Sequence, residues 1–207
     1  MSNKFWKSFS IVLHVLFDEI KIQQKVFREA FTNSGDVEIV NMLIEYTEID
    51  PSSNNNNAIC MASEIGHLAV VDRLLQDERV DPSDYTNLAI RLASENGHVA
   101  VVDRLIQEGR VDPSAVYNYA ICCASRNGHL AVVERLLQDG RVNSTFNFNF
   151  GIHIASQQNH IAVVDRLLQD RRVVDPSATH NRAINIARFC NNFAIVEILL
   201  HGNREDN

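Results

Sequence analysis

Apolar positions recur along this chain in one fixed cluster. The block Ala-Val-Val-acid-Arg-Leu-(Leu/Ile)-Gln stands at 69–76, 100–107, 131–138 and 162–169, a spacing of 31 each time. Within a block, Val70, Val71, Leu74 and Leu75 fall at i, i+1, i+4 and i+5, which is the buried face of a short helix. Upstream, Ala58, Ile59 and Ala62 form a second stripe with helical period, so each repeat predicts two helices. A pair of about 20 helical residues cannot bury its own apolar face, so the pairs must stack into a one-dimensional solenoid. Small residues at Ala62-Ser63, Ala93-Ser94 and Ala124-Ser125 suit close helix crossings.

The residues between the stripes set the boundaries. All four prolines, Pro51, Pro82, Pro113 and Pro176, sit in Asp-Pro-Ser. That motif opens a turn, because Asp bonds backbone two residues on and Pro presets φ. Asn56, Asn87, Asn118, Asn149 and Asn181 precede the first helix and are expected to cap it. The first helix ends at Gly35, Gly66, Gly97, Gly128, Asn159 and Asn191, residue types that tolerate the left-handed conformation of a helix stop. The next position, Asp36, His67, His98, His129, His160 or Asn192, is expected to cap the second helix. Six units follow: 19–49, 50–80, 81–111, 112–142, 143–174 and 175–203. The fifth is one residue longer through Val173 or Val174. Residues 1–18 carry Phe5, Phe9, Val12, Leu13 and Leu16 on one helical face and are expected to cap the open end of the array, with a partner-binding or membrane-surface helix as the alternative. A polar tail occupies 204–207.

These features resemble the ankyrin-repeat family. The family's Ala-Ala-x-x-Gly-His followed by a Val-x-x-Leu-Leu helix stands here as Ala124-Ser125-Arg126-Asn127-Gly128-His129 and then Val133 to Leu137. The family's Thr-Pro-Leu-His becomes Tyr119-Ala120-Ile121-Cys122, and the unit is 31 rather than 33 residues. The resemblance therefore implies an all-α solenoid of stacked helix-turn-helix units with shortened connecting tips. The Asp-Pro-Ser variety resembles ankyrin arrays of large DNA viruses of protists and of protists themselves. It also implies that tips and inner helices line a concave, protein-binding face.

Composition narrows the function classes. The 207 residues are 45% apolar and 22% charged, ordinary values for a folded protein. Lys plus Arg is 19 and Asp plus Glu 26, a net charge of −7. An acidic chain without a basic run is ill suited to neutralising phosphates, so no nucleic-acid partner is expected. The longest uncharged apolar stretch, 8–17, is too short to span a bilayer. Four cysteines without close-spaced ligand pairs point to a reducing compartment, and a cytoplasmic location is expected, the host cytoplasm if the source is viral. One histidine per unit, about 10 Å apart, cannot converge on a metal whose ligands lie about 2 Å away. Cys60 and Cys122 lie in units two apart, too far for a disulfide. Neither a phosphate-binding loop nor a nucleophile elbow is present, so no cofactor and no metal is expected. Asn143-Ser144-Thr145 fits the glycosylation pattern but replaces Asp-Pro-Ser, and a turn role accounts for it. The acid-Arg pairs from Asp72-Arg73 to Asp165-Arg166 read as a solvated column with inter-unit pairing.

Against this constant frame, the tips and the outer face of the first helix vary. Large apolar and aromatic residues gather in the middle units: Tyr85, Leu88, Val116, Tyr117, Tyr119, Phe146, Phe148 and Phe150, with Arg91. Aromatics and Arg inside a polar rim are the composition of a protein-binding patch. Asn143 to Phe150 also alternates, so the three phenylalanines have an inward-facing alternative. The expected function is a non-catalytic, monomeric scaffold that binds a partner protein. An architectural spacer without a recognition patch and an enzyme with an unconventional site are the competing classes.

Overall fold

A computed structural model of the chain describes residues 29, 36–46, 49–142, 145–170 and 176–201. The 1–18 segment, Gly35, Asn143, Ser144 and the extra valine lie outside the described residues. The described residues form helices and no strand. Val37–Tyr46 (α1) is followed by five pairs: Ser53–Ile65 (α2) with Leu68–Leu75 (α3), Asp84–Glu95 (α4) with Val99–Gln107 (α5), Ala115–Asn127 (α6) with Leu130–Leu137 (α7), Thr145–Gln157 (α8) with Ile161–Leu168 (α9), and Pro176–Phe189 (α10) with Phe193–His201 (α11). The first helices of successive pairs pack against one another far more closely than the second helices do. That difference puts α2, α4, α6, α8 and α10 on the inside of the array's curve.

The two apolar stripes are the core. Ile59, Ile90, Ile121 and Ile152 from first helices and Leu74, Leu105, Leu136 and Leu167 from second helices are fully buried. Ala62, Ala93, Ala124 and Ala155 beside them are buried too, and their small side chains permit the close approach of neighbouring first helices. Ser94 and Ser125 keep their hydroxyls satisfied by donating to the carbonyls of Ile90 and Ile121, both at 2.7 Å.

The first three pairs are each entered through an Asp-Pro-Ser turn. Asp50 Oδ1 accepts from the Ser52 N–H at 2.9 Å and its hydroxyl at 2.7 Å; Asp81 with Ser83 and Asp112 with Ser114 repeat the arrangement at 2.9 and 2.6 Å. The chain then makes one left-handed turn rather than a shortened hairpin. Asn54, Asn55 and Asn56 have φ of 55°, 58° and 56°; Tyr85, Thr86 and Asn87 have 51°, 57° and 59°; Val116, Tyr117 and Asn118 have 53°, 59° and 56°. The N–H groups of Asn56, Asn87 and Asn118 close these turns on the carbonyls of Ser52, Ser83 and Ser114 at 2.9, 2.9 and 2.7 Å.

That geometry corrects the role expected of the asparagines. A helix cap needs a residue with extended backbone whose side chain turns back on the first helical turn. At positive φ, Asn56 and Asn87 instead reach into the following unit. Asn56 Oδ1 accepts from the Asp81 N–H at 2.8 Å while its Nδ2 donates to Asp84 Oδ2 at 2.9 Å, and Asn87 Oδ1 accepts from the Asp112 N–H at 2.7 Å.

The histidines are corrected in the same direction. His67, His98, His129 and His160 stand where a cap would, yet none makes a side-chain capping bond. Three of them bond backwards: His98 Nε2 to the Glu64 carbonyl at 2.9 Å, His129 Nε2 to that of Glu95 at 3.0 Å, and His160 Nε2 to that of Arg126 at 2.9 Å. Asn192 Nδ2 does the same with the Ser156 carbonyl at 2.7 Å. These carbonyls lie at the end of the preceding first helix, where no intrahelical donor is left for them. Asp36 does cap its own helix, accepting from the N–H groups of Glu38 at 3.0 Å and Ile39 at 3.4 Å.

The helix stops behave as expected, and the structure adds a second reason for glycine. Gly66, Gly97 and Gly128 have φ of 88°, 79° and 76°, with Asn159 at 63° and Asn191 at 60°. A Cβ on Gly97 would also lie 2.6 Å from Nδ1 of His129, and Gly66 and Gly128 face His98 and His160 equally tightly. On the outer helices the acid-Arg column pairs between units: Arg104 Nε with Asp72 at 2.6 Å and Arg135 Nε with Asp103 at 2.5 Å. Such part-exposed pairs contribute up to about 1 kcal/mol each.

Two predictions follow from these contacts. Gly109 has a φ of 81° with nothing within 4 Å of a built Cβ, so Gly109→Ala isolates the backbone cost, about 1–2 kcal/mol. Gly97→Ala carries that cost plus displacement of His129, and urea melts should show it to be clearly the more destabilised variant. The second concerns acid. Hydrogen bonds from Ser52 and Ser83 hold Asp50 and Asp81 below the usual carboxylate range, and Arg79 and Arg141 do so for Asp77 and Asp139. A carboxylate depressed by folding contributes stability that is fully present above about pH 3.9 and is lost as pH falls through its lower folded value. Ser83→Ala should therefore lower stability at pH 7 and reduce the further loss between pH 4 and pH 2, as read by urea melts along that range.

Candidate protein-binding face

The left-handed turns and the first helices carry the described variable residues. Tyr85 and Tyr117 at the turns are 61% and 83% exposed, Val116 is 41% exposed, and Phe150 on α8 is 42% exposed. Leu88 is half-buried against the core, and Arg91 and Tyr119 are half-buried as well. The side chains of Phe146 and Phe148 lie outside the described residues, so the alternation from Asn143 to Phe150 is not addressed by the structure.

Arg91 ties the middle of this face together. Its Nη1 donates to Thr86 Oγ1 at 2.9 Å, and its guanidinium carbon sits 5.2 Å from the centre of the Tyr119 ring. A cation over an aromatic face is worth about 0.5–1 kcal/mol at an exposed site. The Arg91 Nε is buried without a partner. The nearby Tyr119 side chain holds the Arg126 guanidinium's pKa above its usual value. The structure thus joins Thr86, Arg91 and Tyr119 into one strip across α4 and α6. It leaves Tyr85, Val116 and Tyr117 pointing to solvent.

The turn conformation was not anticipated from the sequence, although Asn54-Asn55-Asn56 carried the signal: Asn is the commonest residue after Gly to accept positive φ. Two exposed aromatics further along were also missed, Phe189 at 89% and Phe193 at 63%. The substitution of Phe for a polar residue at position 189, against Glu64, Glu95, Arg126 and Gln157 in earlier units, was the available clue.

No set of three His, Cys, Asp or Glu among the described residues could hold a metal ion. No helix among them is long and apolar enough to cross a membrane. The family model for ankyrin repeats (3 copies) matches residues 28–117 and again 120–207, most of the chain. The chain belongs to the ankyrin-repeat family. No curated protein matches it. Ankyrin repeats are in general protein–protein interaction modules and typically carry no catalysis. In this ankyrin-repeat chain left-handed turns occupy the place of the tips in the second, third and fourth units.

The ankyrin frame also accounts for the cysteines. Cys60, Cys122 and Cys123 are buried in the stack and Cys190 is half-buried, all as free thiols. Burial pushes the thiols of Cys60 and Cys123 up to about 11 and that of Cys122 to about 12. The thiolate is the reactive form. Thiol titration at pH 8 should therefore find Cys190 alone reacting quickly in the native protein and all four after denaturation without reductant. Two thiols in the denatured sample would mean a disulfide that this stacking forbids.

Proposed function

We propose that this ankyrin-repeat protein is a non-catalytic recognition scaffold that binds a partner protein across the inner face of its middle units, within the cell. Tyr85, Leu88, Arg91, Val116, Tyr117, Tyr119, Phe146, Phe148 and Phe150 form the centre of that interface. One observation carries the reading. The second unit fills its left-handed turn with asparagines, whereas the next two place Tyr85, Thr86, Val116 and Tyr117 at φ of 51° to 59°. A β-branched or bulky residue is a genuine outlier there, at roughly 1–2 kcal/mol each. The stack gains no core packing in return, because Tyr85, Val116 and Tyr117 are exposed. Strain kept on exposed aromatic residues is the signature of a surface shaped for a partner rather than for stability.

Three adjacent units span about 20–30 Å at helix-packing distances. They can present the roughly 800 Å² that one side of a standard interface buries. Tyr and Arg are the residue types on which binding energy concentrates. The four free cysteines support a reducing compartment.

Stability and binding should separate in one variant. Replacing Tyr85 and Tyr117 by Asn, as in the second unit, relieves strain and should raise stability by about 1 kcal/mol or more in urea melts. The same variant should lose at least about 2 kcal/mol of affinity for a partner recovered with the intact protein, a typical hot-spot loss. Unchanged affinity in the variant would overturn this function.

A further inference from the structure

The inner face continues past the middle units into a cleft of about 500 Å³ between α8 and α10, lined by Gln157, Arg182, Asn185, Ile186, Phe189 and Cys190. Its two walls differ in chemistry. Ile186 and the almost fully exposed ring of Phe189 form an apolar side, while Arg182, Asn185 and Gln157 form a polar side. Among the described residues the lining contains one cation and no carboxylate, in a chain of net charge −7. Among the described residues Arg182 makes no ion pair of the kind that occupies Arg73, Arg79, Arg104, Arg110, Arg135 and Arg141. Equivalent positions in earlier units are Asn57, Leu88, Tyr119 and Phe150, so a charge at this place is confined to the last unit.

We propose that this cleft takes a carboxylate-bearing residue of a partner polypeptide together with a neighbouring large apolar side chain. The carboxylate meets the Arg182 guanidinium, whose planar fork matches it in two parallel bonds. The amides of Asn185 and Gln157 supply further donors, and the apolar side chain covers Ile186 and Phe189. The inference rests on the reading that the inner face binds protein, and it adds a second anchor whose chemistry is acidic.

A random-peptide display library, selected on the full chain, tests it. Selected peptides should carry Asp or Glu within two residues of Leu, Ile, Phe, Tyr or Trp. Their affinity should fall at least tenfold against Arg182→Gln and again when the peptide's acid is replaced by its amide. They should also slow the reaction of Cys190 with neutral dithiodipyridine. Arg182 and Phe189 are exposed, so Arg182→Gln and Phe189→Ser should keep the parent melting temperature. Peptides that bind Arg182→Gln within twofold, or a selection that returns none, would overturn the proposal. Peptides that lose to Arg182→Gln but ignore the Tyr85 and Tyr117 changes would uphold the cleft as an anchor separate from the tips; peptides that respond only to the Tyr85 and Tyr117 changes would overturn the cleft.

Discussion

The structure depends on one contact made between units. A first helix stops in the left-handed conformation at Gly66, Gly97 or Gly128, and the imidazole of the next unit lies where a Cβ would have been. From that position the ring's Nε2 donates to a carbonyl that the helix end leaves without a partner. Three requirements meet at one place: a residue that tolerates positive φ, the absence of a side chain, and a flat donor 32 positions on. Everything else in the frame repeats that logic at other points on the unit. The buried asparagine ties the start of one first helix to the next Asp-Pro-Ser turn, and the arginines of the outer helices reach back to the previous unit. Polar side chains here serve the seams between units, and apolar ones fill them.

This explains what was legible in the sequence. The period of 31, the buried valines and leucines, the small residues at helix crossings and the helix stops were all readable, because each depends on local conformation or on a simple apolar count. The partners of the histidines and asparagines were not. A single unit shows His129 and Asn87 only at helix starts, where capping is the obvious local role. Their true partners lie 34 and 25 residues away and appear only after stacking. The left-handed turn was hidden for a related reason. Tyr85, Thr86, Val116 and Tyr117 contradict the conformation they adopt, and only the second unit fills all three positions of the turn with residues that agree with it.

Of the candidate face, the choice of variable positions was legible and its internal connections were not. Arg91 could be placed on the outer side of the first helix by period alone. That it rests on the Tyr119 ring and holds the Thr86 hydroxyl depends on the fold of the turn beside it. A repeat array can afford such local variation because each unit answers mainly to its neighbours. Strain at an exposed turn in the third or fourth unit leaves the glycine–histidine seams untouched, which separates the residues that hold the array from those free to serve a partner.

The inter-unit histidine bond is the claim on which this account stands, and nitrogen NMR of the imidazoles tests it most directly. A carbonyl can only accept, so Nε2 must carry the proton in His98, His129 and His160. Long-range nitrogen–proton spectra at neutral pH should show these three rings with Nε2 protonated and its proton protected from exchange with water. Rings protonated at Nδ1 alone, or Nε2 protons exchanging as fast as those of a free histidine, would contradict it.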